Sequence, residues 1–300
     1  MKREPSENEQ RGVVRTLERI AIGTIFDVFS DAFASYFLPM NMTLEQFTHR
    51  MNSLGVDYGG SYGYFEDDTL VSFVLHGFKT VQGQTKAYNA GTGTRPANRG
   101  RGLTRHVYGA CIDDLCKRGV NDVRLEVIVE NHAAIRAYEA IGFITMRELL
   151  YAKHSEAASK HRPIAGVHVD SIEQPNWTQL RQFWDWPPTW QNDVEVLDAG
   201  PDDYVILGAS RGDRLLGYLA LAPRSGKVAQ YAVDPAFRRQ GIGTALVHAA
   251  RERSEGSLVF VNVDAGDDAS VGFLQAVDLQ VQLRQYDMLL SLPPRRLAAT

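Results

Sequence analysis

Cysteine is scarce in this chain, with two among 300 residues. Cys111 and Cys116 fall in one stretch of helical periodicity, and a helix turns positions five apart to different faces. Neither a structural disulfide nor a metal site is expected from them. Long apolar runs are missing too: none approaches the roughly 18 residues that a membrane span needs. The first residues, Met1 to Arg11, are polar and charged and lack the apolar segment of a secretory signal. We expect a cytoplasmic protein with no membrane partner. A basic surplus is also absent. Lys and Arg number 32 against 36 Asp and Glu, a formal charge of -4, which argues against a nucleic-acid or anionic-lipid coat. Two familiar phosphate loops are missing as well. There is no GxxxxGK[ST], and Gly91-Thr-Gly93-Thr-Arg-Pro puts Pro96 where GxGxxG needs its last glycine.

What remains has a globular composition, 44% hydrophobic and 23% charged, and a length that suggests two domains. Helical periodicity runs over 16–33. Thr43-Leu44-Glu45-Gln46 reads as a capping box for a helix carrying Phe47 and Met51 and ending at Gly55. A hairpin over 61–77 turns at Glu66-Asp67-Asp68, and a strand over 86–94 leads into a Gly- and Arg-rich loop. Then follow a helix with Leu103, Val107 and Leu115, a strand over 123–129, a helix over 132–141 and a strand over 145–151. The polar stretch 154–163 reads as a linker.

The order then repeats. Pro96-Ala97-Asn98-Arg99-Gly100-Arg101-Gly102-Leu103 aligns with Pro235-Ala236-Phe237-Arg238-Arg239-Gln240-Gly241-Ile242, an offset of 238 minus 99, or 139. Asn131–Phe143 aligns with Asp267–Leu279 at 267 minus 131, or 136. The chain is therefore expected to be α/β, with an N-terminal domain over 13–153 and a C-terminal domain over 164–292.

In both halves a glycine-containing loop leaves a strand and opens a helix. The first N–H groups of a helix lack intrahelical partners, and its dipole favours an anion there. Glycine allows close backbone approach, and Arg99, Arg101, Arg238 and Arg239 add positive charge. A pyrophosphate suits such a place. An ordinary solvated helix start explains one such loop equally well; two copies after equivalent strands favour function.

Arg99-Gly-Arg-Gly102-Leu-Thr104 and Arg238-Arg-Gln-Gly241-Ile-Gly243 resemble the [QR]xxGx[GA] signature of the GNAT acyl-CoA-dependent N-acetyltransferases. Asn131-His-Ala-Ala134-Ile-Arg-Ala-Tyr138-Glu-Ala-Ile-Gly142-Phe143 resembles that superfamily's NxxAxxxYxxxGF. The resemblance covers almost the whole chain as a tandem pair, a layout also seen in mycothiol synthase. It implies two domains, each a mixed, mostly antiparallel sheet flanked by helices. It also implies acetyl transfer from acetyl-CoA to an amine, with no metal. Backbone amides of Arg99, Gly100, Arg101, Gly102, Leu103 and Thr104 would hold the CoA pyrophosphate. Thr92, Gly93 and Thr94 would pair with the pantetheine arm while the next strand splays away. Asn131 would touch the cofactor arm, and Tyr138 would protonate the departing thiolate.

Both halves depart from the pattern. Thr104 replaces the last Gly/Ala of the first loop signature. In the second half the loop is intact, so Val233, Arg238, Arg239, Gln240, Gly241, Ile242, Gly243 and Thr244 form a second candidate cofactor loop. Its later motif is degraded, with Asp267 for Asn, Leu274 for Tyr and Asp278-Leu279 for Gly-Phe. Leucine donates no proton, so the first half is expected to catalyse.

A base must deprotonate the amine. Glu126, mid-strand near the expected splay, is the leading candidate, weighed evenly against a paired structural carboxylate. His76 is more readily a core histidine. The aromatics Phe33, Tyr36 and Phe37 lie where this fold opens its acceptor groove, with core packing the plainer role. Trp184, Trp186 and Trp190 form a cluster suited to domain packing or to an acceptor wall. Asp264, Asp267 and Asp268 read as solvated turn residues. The acceptor is a small-molecule or protein amine, and the chain a monomer or homodimer. Two other readings stay open: a CoA-sensing or acceptor-binding module without turnover, and an assembly protein that dimerises through its second domain. Thioester-dependent release of the CoA thiol separates the first from an enzyme, and light scattering addresses the second.

Overall fold

The computed structural model describes residues 12–34, 36–37, 40–81, 83–154 and 164–293. The N-terminal arm before Gly12 and the expected linker beyond His154 lie outside the described residues.

The first repeat runs β1 (Val13–Thr16), α1 (Ile22–Phe33), α2 (Leu44–Ser53), β2 (Tyr62–Glu66), β3 (Thr69–Val81), β4 (Gln84–Thr94), α3 (Leu103–Lys117), β5 (Val120–Ile128), α4 (His132–Ile141) and β6 (Ile144–His154). The second runs β7 (His168–Ser171), α5 (Trp177–Leu180), α6 (Val194–Ala199), β8 (Val205–Arg211), β9 (Arg214–Ala222), β10 (Lys227–Val233), α7 (Ile242–Arg253), β11 (Val259–Asp264), α8 (Asp268–Ala276) and β12 (Leu279–Ser291). The α/β class with mixed, mostly antiparallel sheets is the one expected. Single elements differ. The helix expected over 16–33 starts only at Ile22, after a strand over Val13–Thr16, and in the second repeat Trp177–Leu180 is a single helical turn continued by a 3-10 segment, Arg181–Phe183.

Local signals explain several elements. Thr43 Oγ1 accepts from Gln46 N at 3.2 Å, and Gln46 Oε1 accepts from Thr43 N at 2.9 Å, the expected capping box. Phe47 and Met51 then face the core, where Phe47 meets Phe29 with ring centroids 4.9 Å apart. The hairpin β2–β3 closes over Asp67 and Asp68, both left-handed at φ 45° and 64°. Two consecutive positive φ values match the right-handed twist of the flanking strands, and Asp tolerates them better than most residues.

By contacts the chain divides into two compact units. One comprises the residues up to Ile144 together with those from Met288 onward; the other is Thr145–Asp287. The cut differs from the repeat boundary because the last strands of the two repeats are exchanged. In the first unit the strand order is β1-β2-β3-β4-β5, followed by the end of β12. Leu292 N donates there to Asn121 O at 2.8 Å. In the second unit the order is β6-β11-β10-β9-β8-β7, with β6 antiparallel to β11 from Lys153↔Val259 onward.

The feature that positions a site is the same in both units. In the first, β4 pairs in parallel with β5 only as far as Tyr88↔Arg124, while its register on β3 continues to Thr94. In the second, β10 pairs with β11 only at Lys227↔Val259 and Val228↔Phe260. Just beyond each last pair one residue is bulged out against the antiparallel neighbour, Ala90 in β4 and Ala229 in β10. Their separation, 229 minus 90, is again 139. A bulge bends a strand and re-aims the side chains that follow it, so each parallel pair opens into a gap at an equivalent place.

His76 on β3 is 0% exposed. Its Nδ1 bonds Gly60 O at 2.9 Å, and Nε2 is buried without a partner. It is a core histidine. Burial lowers its pKa from 6.5 to about 4, against the opposing Gly60 bond and with a further push from Arg118. Between those two values the unfolded chain binds a proton that the folded chain refuses. The stabilisation is complete above pH 6.5 and is lost as pH falls towards 4, about 3 kcal/mol in all. We expect urea midpoints to drop steeply between pH 6.5 and 4 in the native chain, and a flatter profile in His76→Phe; parallel profiles would assign the acid sensitivity to other groups.

Candidate active site

In the first unit the loop after β4 is a short 3-10 turn, Pro96–Asn98, followed by two left-handed glycines, Gly100 at φ 76° and Gly102 at φ 70°. Gly102 is the N-cap of α3 and offers no side-chain cap. The N–H groups of the first turn, on Leu103, Thr104 and Arg105, are thus left for a guest. A Cβ built on either glycine meets nothing within 4 Å, so open space lies in front of them. Outward N–H groups at a helix N-terminus facing open space suit an anion.

The arginines around it serve differently from the sequence expectation. Arg99 Nη2 donates to Ala32 O at 2.7 Å and Nε to Thr94 O at 3.4 Å. Arg238 repeats this in the second unit, with Nε on Val233 O at 3.1 Å, Nη2 on Phe183 O at 3.1 Å and Nη1 on Asp185 at 2.9 Å. Each ties the end of the strand before the loop to the segment that follows the repeat's first strand. Arg101 pairs with Glu66 at 2.6 Å. These three guanidinium groups have partners within the protein, whereas Arg239 lines the second unit's cavity; the backbone N–H groups and the helix dipole suit an anion as well.

Around the bulge in β4 lies a chain of buried and half-buried polar side chains. Asn89 Nδ2 donates to Thr92 Oγ1 at 2.7 Å and to Tyr108 OH at 2.8 Å, and its Oδ1 accepts from Gly91 N at 3.1 Å. Tyr138, 8% exposed on α4, joins this chain through Thr92 and Asn89. Burial pushes its phenol up to about 12; the bond from Thr92 opposes the rise, nearby Tyr36 adds to it, and Asn89 opposes it. A phenol held this way keeps its proton at neutral pH and has donors ready to support the phenolate once the proton leaves.

The other expected residues fall around this chain. Asn131 is the N-cap of α4, its Oδ1 accepting from Ala134 N at 3.2 Å, and Tyr36 bonds to the same side chain. Phe33, Tyr36 and Phe37 form a ladder with centroids 4.9 and 5.5 Å apart, and Phe37 is exposed. Glu126 lies on β5 two residues past the last β4 pair, where it accepts a hydrogen bond from Tyr88 OH. It is not among the partners of Tyr138. Cys111 is buried, and burial pushes its thiol up to about 12, so it holds no thiolate for a covalent acyl step at neutral pH. Asn89 was not anticipated. Its only sequence signal is a polar side chain inside a strand directly before the glycine-rich end.

In the second unit Gly241, at φ 83°, takes the same uncapped N-cap position on α7. The gap beside β10 holds a cavity of about 310 Å³. The strand end Val233, the loop residues Arg238 and Arg239, and residues 241–244 all line it, and so do Trp184 and Trp186; Gln240 is exposed. Asp264 is no solvated turn residue, since it pairs with Arg147 at 3.2 Å. Asp267 caps α8, accepting from Ser270 N at 3.1 Å.

In each unit the strands part beside an uncapped, glycine-led helix, and comparison with known proteins names this fold. The family model "Acetyltransferase (GNAT) family" matches twice, over residues 24–143 and 169–277. The chain belongs to the GNAT acetyltransferase family, as a tandem of two repeats. A curated relative, the N-alpha-acetyltransferase RimI of Mycobacterium tuberculosis, is 30% identical over 101 residues, 32% of this chain and 61% of that protein's length. A GCN5-related N-acetyltransferase from Sphaerobacter thermophilus shares the fold with a TM-score of 0.72, at 14% identity over 97% of this chain and 99% of its own. A tandem GNAT protein from the clavulanic acid biosynthesis pathway does so with a TM-score of 0.67, at 12% identity over 94% and 98%. Among the described residues no helix is long and apolar enough to cross a membrane.

Proposed function

We propose that this protein is an acetyl-CoA-dependent N-acetyltransferase whose first unit carries the chemistry and whose acceptor is a primary amine. The observation that carries the reading is the Tyr138–Thr92–Asn89 chain, lying beside the free end of β4 and on the same unit as the uncapped α3. Acetyl-CoA supplies an acetyl group already activated as a thioester. The backbone N–H groups at Gly100–Thr104 bind the pyrophosphate, and the unpaired edge of β4 over Thr92–Thr94 receives the pantetheine arm as an added strand. A backbone N–H on that edge polarises the thioester carbonyl. The neutral amine attacks the carbonyl carbon, the C–S bond breaks, and Tyr138 gives its proton to the leaving sulfur. Glu126, reached through water, takes the proton that the amine loses. Holding both reactants in one cleft supplies the proximity. A curated relative named for N-alpha acetylation keeps a protein N-terminus beside small amines among the acceptor classes.

The second loop, around Arg238–Thr244, holds a second CoA without efficient transfer, because Leu274 stands where Tyr138 stands in the first repeat. The reading is tested by acetyl-CoA-dependent release of free CoA thiol in the presence of an amine panel, begun from any acceptor found by mass spectrometry of natively purified protein. We expect Gly102→Val to weaken CoA binding at least tenfold and to remove most turnover, since a β-branched side chain at φ 70° both strains the loop and enters the cradle. Gly241→Val is expected to leave most turnover in place. Melting curves on both variants establish that they fold. The opposite pattern would move catalysis to the second unit.

A further inference from the structure

The second unit's cavity is more than a phosphate loop. Its walls come from two separate cores. On one side Tyr231, Val233 and Phe273 pack with the cluster around Ile242 and Leu246. On the other, Phe183, Tyr218 and Trp184 belong to the cluster around Leu180 and Leu197. A cavity walled by both crosses the sheet, through the gap where β10 parts from β11. One end meets the α7 N-terminus, and the other lies under Trp184 and Phe183.

The polar atoms at that far end are already satisfied by one another. Trp184 Nε1 donates to Tyr218 OH at 2.5 Å, Tyr218 OH donates to Gln230 Oε1 at 2.6 Å, and Gln230 Nε2 donates to Asn192 O at 2.6 Å. The carboxylate in the wall, Asp185, is held by Arg238 at 2.9 Å. What the far end offers a guest is ring faces and hydrocarbon. On the α7 side the first unit contrasts at matched positions: Thr92, Thr94 and Tyr138 become Tyr231, Val233 and Leu274, of which Tyr231 alone keeps a hydroxyl, buried in the wall. At the far end, under Trp184 and Phe183, a charged or hydroxyl-rich guest finds the polar atoms already paired, whereas an apolar one loses only its water.

We infer that the far end of this cavity is a pocket for an apolar acyl group larger than acetyl, so that the second unit binds a medium-chain or aryl thioester of CoA. The inference rests on the reading that the Arg238–Thr244 loop holds CoA. An apolar substituent could also arrive on the amine acceptor, and the experiment separates the two sources.

All four tryptophans, Trp177, Trp184, Trp186 and Trp190, lie within Thr145–Asp287. Tryptophan emission, excited at wavelengths that tyrosine does not absorb, therefore reports the second unit. The native chain is titrated with CoA, acetyl-CoA, butyryl-CoA and hexanoyl-CoA, and separately with hexylamine. Each methylene that leaves water strengthens binding about fourfold, so hexanoyl-CoA should bind at least tenfold more tightly than acetyl-CoA. The preference should persist in Gly102→Val and vanish in Gly241→Val, with folding checked by melting. Equal affinities across the thioesters, with CoA itself bound, would overturn the acyl pocket and leave the CoA reading standing. Failure of CoA to alter the fluorescence or to bind by calorimetry at a Gly241-dependent site would overturn both. A flat thioester series with hexylamine saturating the signal would overturn the acyl assignment in favour of the acceptor.

Discussion

Tyr138→Phe should lower turnover about 10²-fold or more while leaving acetyl-CoA affinity nearly unchanged. The substitution removes one hydroxyl from a ring that is 8% exposed and packed 5.5 Å, centroid to centroid, from Phe143. Packing is kept, so the protein should fold. What disappears is the proton at the end of the Tyr138–Thr92–Asn89 chain. The pH dependence gives an independent reading. The acid form is needed, and burial pushes its pKa up to about 12 in the free protein, so the native enzyme should show no alkaline loss assignable to Tyr138 below about pH 11. Turnover in Tyr138→Phe within a factor of two of the native rate would remove Tyr138 from the acid role. Asn89 and Tyr108 would then be bystanders of a structural network rather than supports of a reacting phenol.

Arg147→Met should destabilise the second unit by about 3–5 kcal/mol, the usual cost of removing one partner from a buried ionic group. Arg147 comes from β6. Its Nε meets Asp287 at 2.9 Å, its Nη1 meets Asp264 at 3.2 Å, and Nη1 also donates to Pro187 O at 3.2 Å. Its guanidinium carbon lies 6.0 Å from the centre of the Trp186 ring. Methionine keeps much of the volume, so the loss is chiefly electrostatic: Asp264 and Asp287 lose the cation that both touch, and Asp287 is 3% exposed. Urea unfolding followed by tryptophan fluorescence measures the effect. Adding Asp287→Leu to Arg147→Met should recover part of the loss, because the more deeply buried of the two carboxylates is then gone. A loss under 1 kcal/mol would mean that solvent screens the group as it screens a surface pair.

The repeat was legible in the chain because its signals are local. The glycines at 102 and 241 stand one residue before an amphipathic run, and both adopt the left-handed conformation that such a cap uses. Thr43 and Gln46 announce their helix by spacing alone. The offset of 139 residues between the loops also separates the two bulged alanines, which no sequence pattern flags. Tyr138 was found by its motif, whereas Asn89 was not, since a single asparagine in a strand reads as a turn or an edge until its four hydrogen-bonding directions are seen filled.

The sequence by itself determined the secondary structure around each loop, the two-fold repetition, and which half carries a phenol at the motif position, because each of these depends on residues close together in the chain. The tertiary structure decided which strands pair, which charges are neutralised, and where space is left. Alternating polarity in β6 and β12 suits either sheet, so pairing with the other half is a matter of register and geometry over more than a hundred residues. Arginines that look like phosphate ligands in the loop find carbonyls at Ala32 and Phe183, both contributed by earlier segments. The cavity beside β10 exists because two distant packing clusters meet at a gap in a sheet, and no local pattern encodes a void.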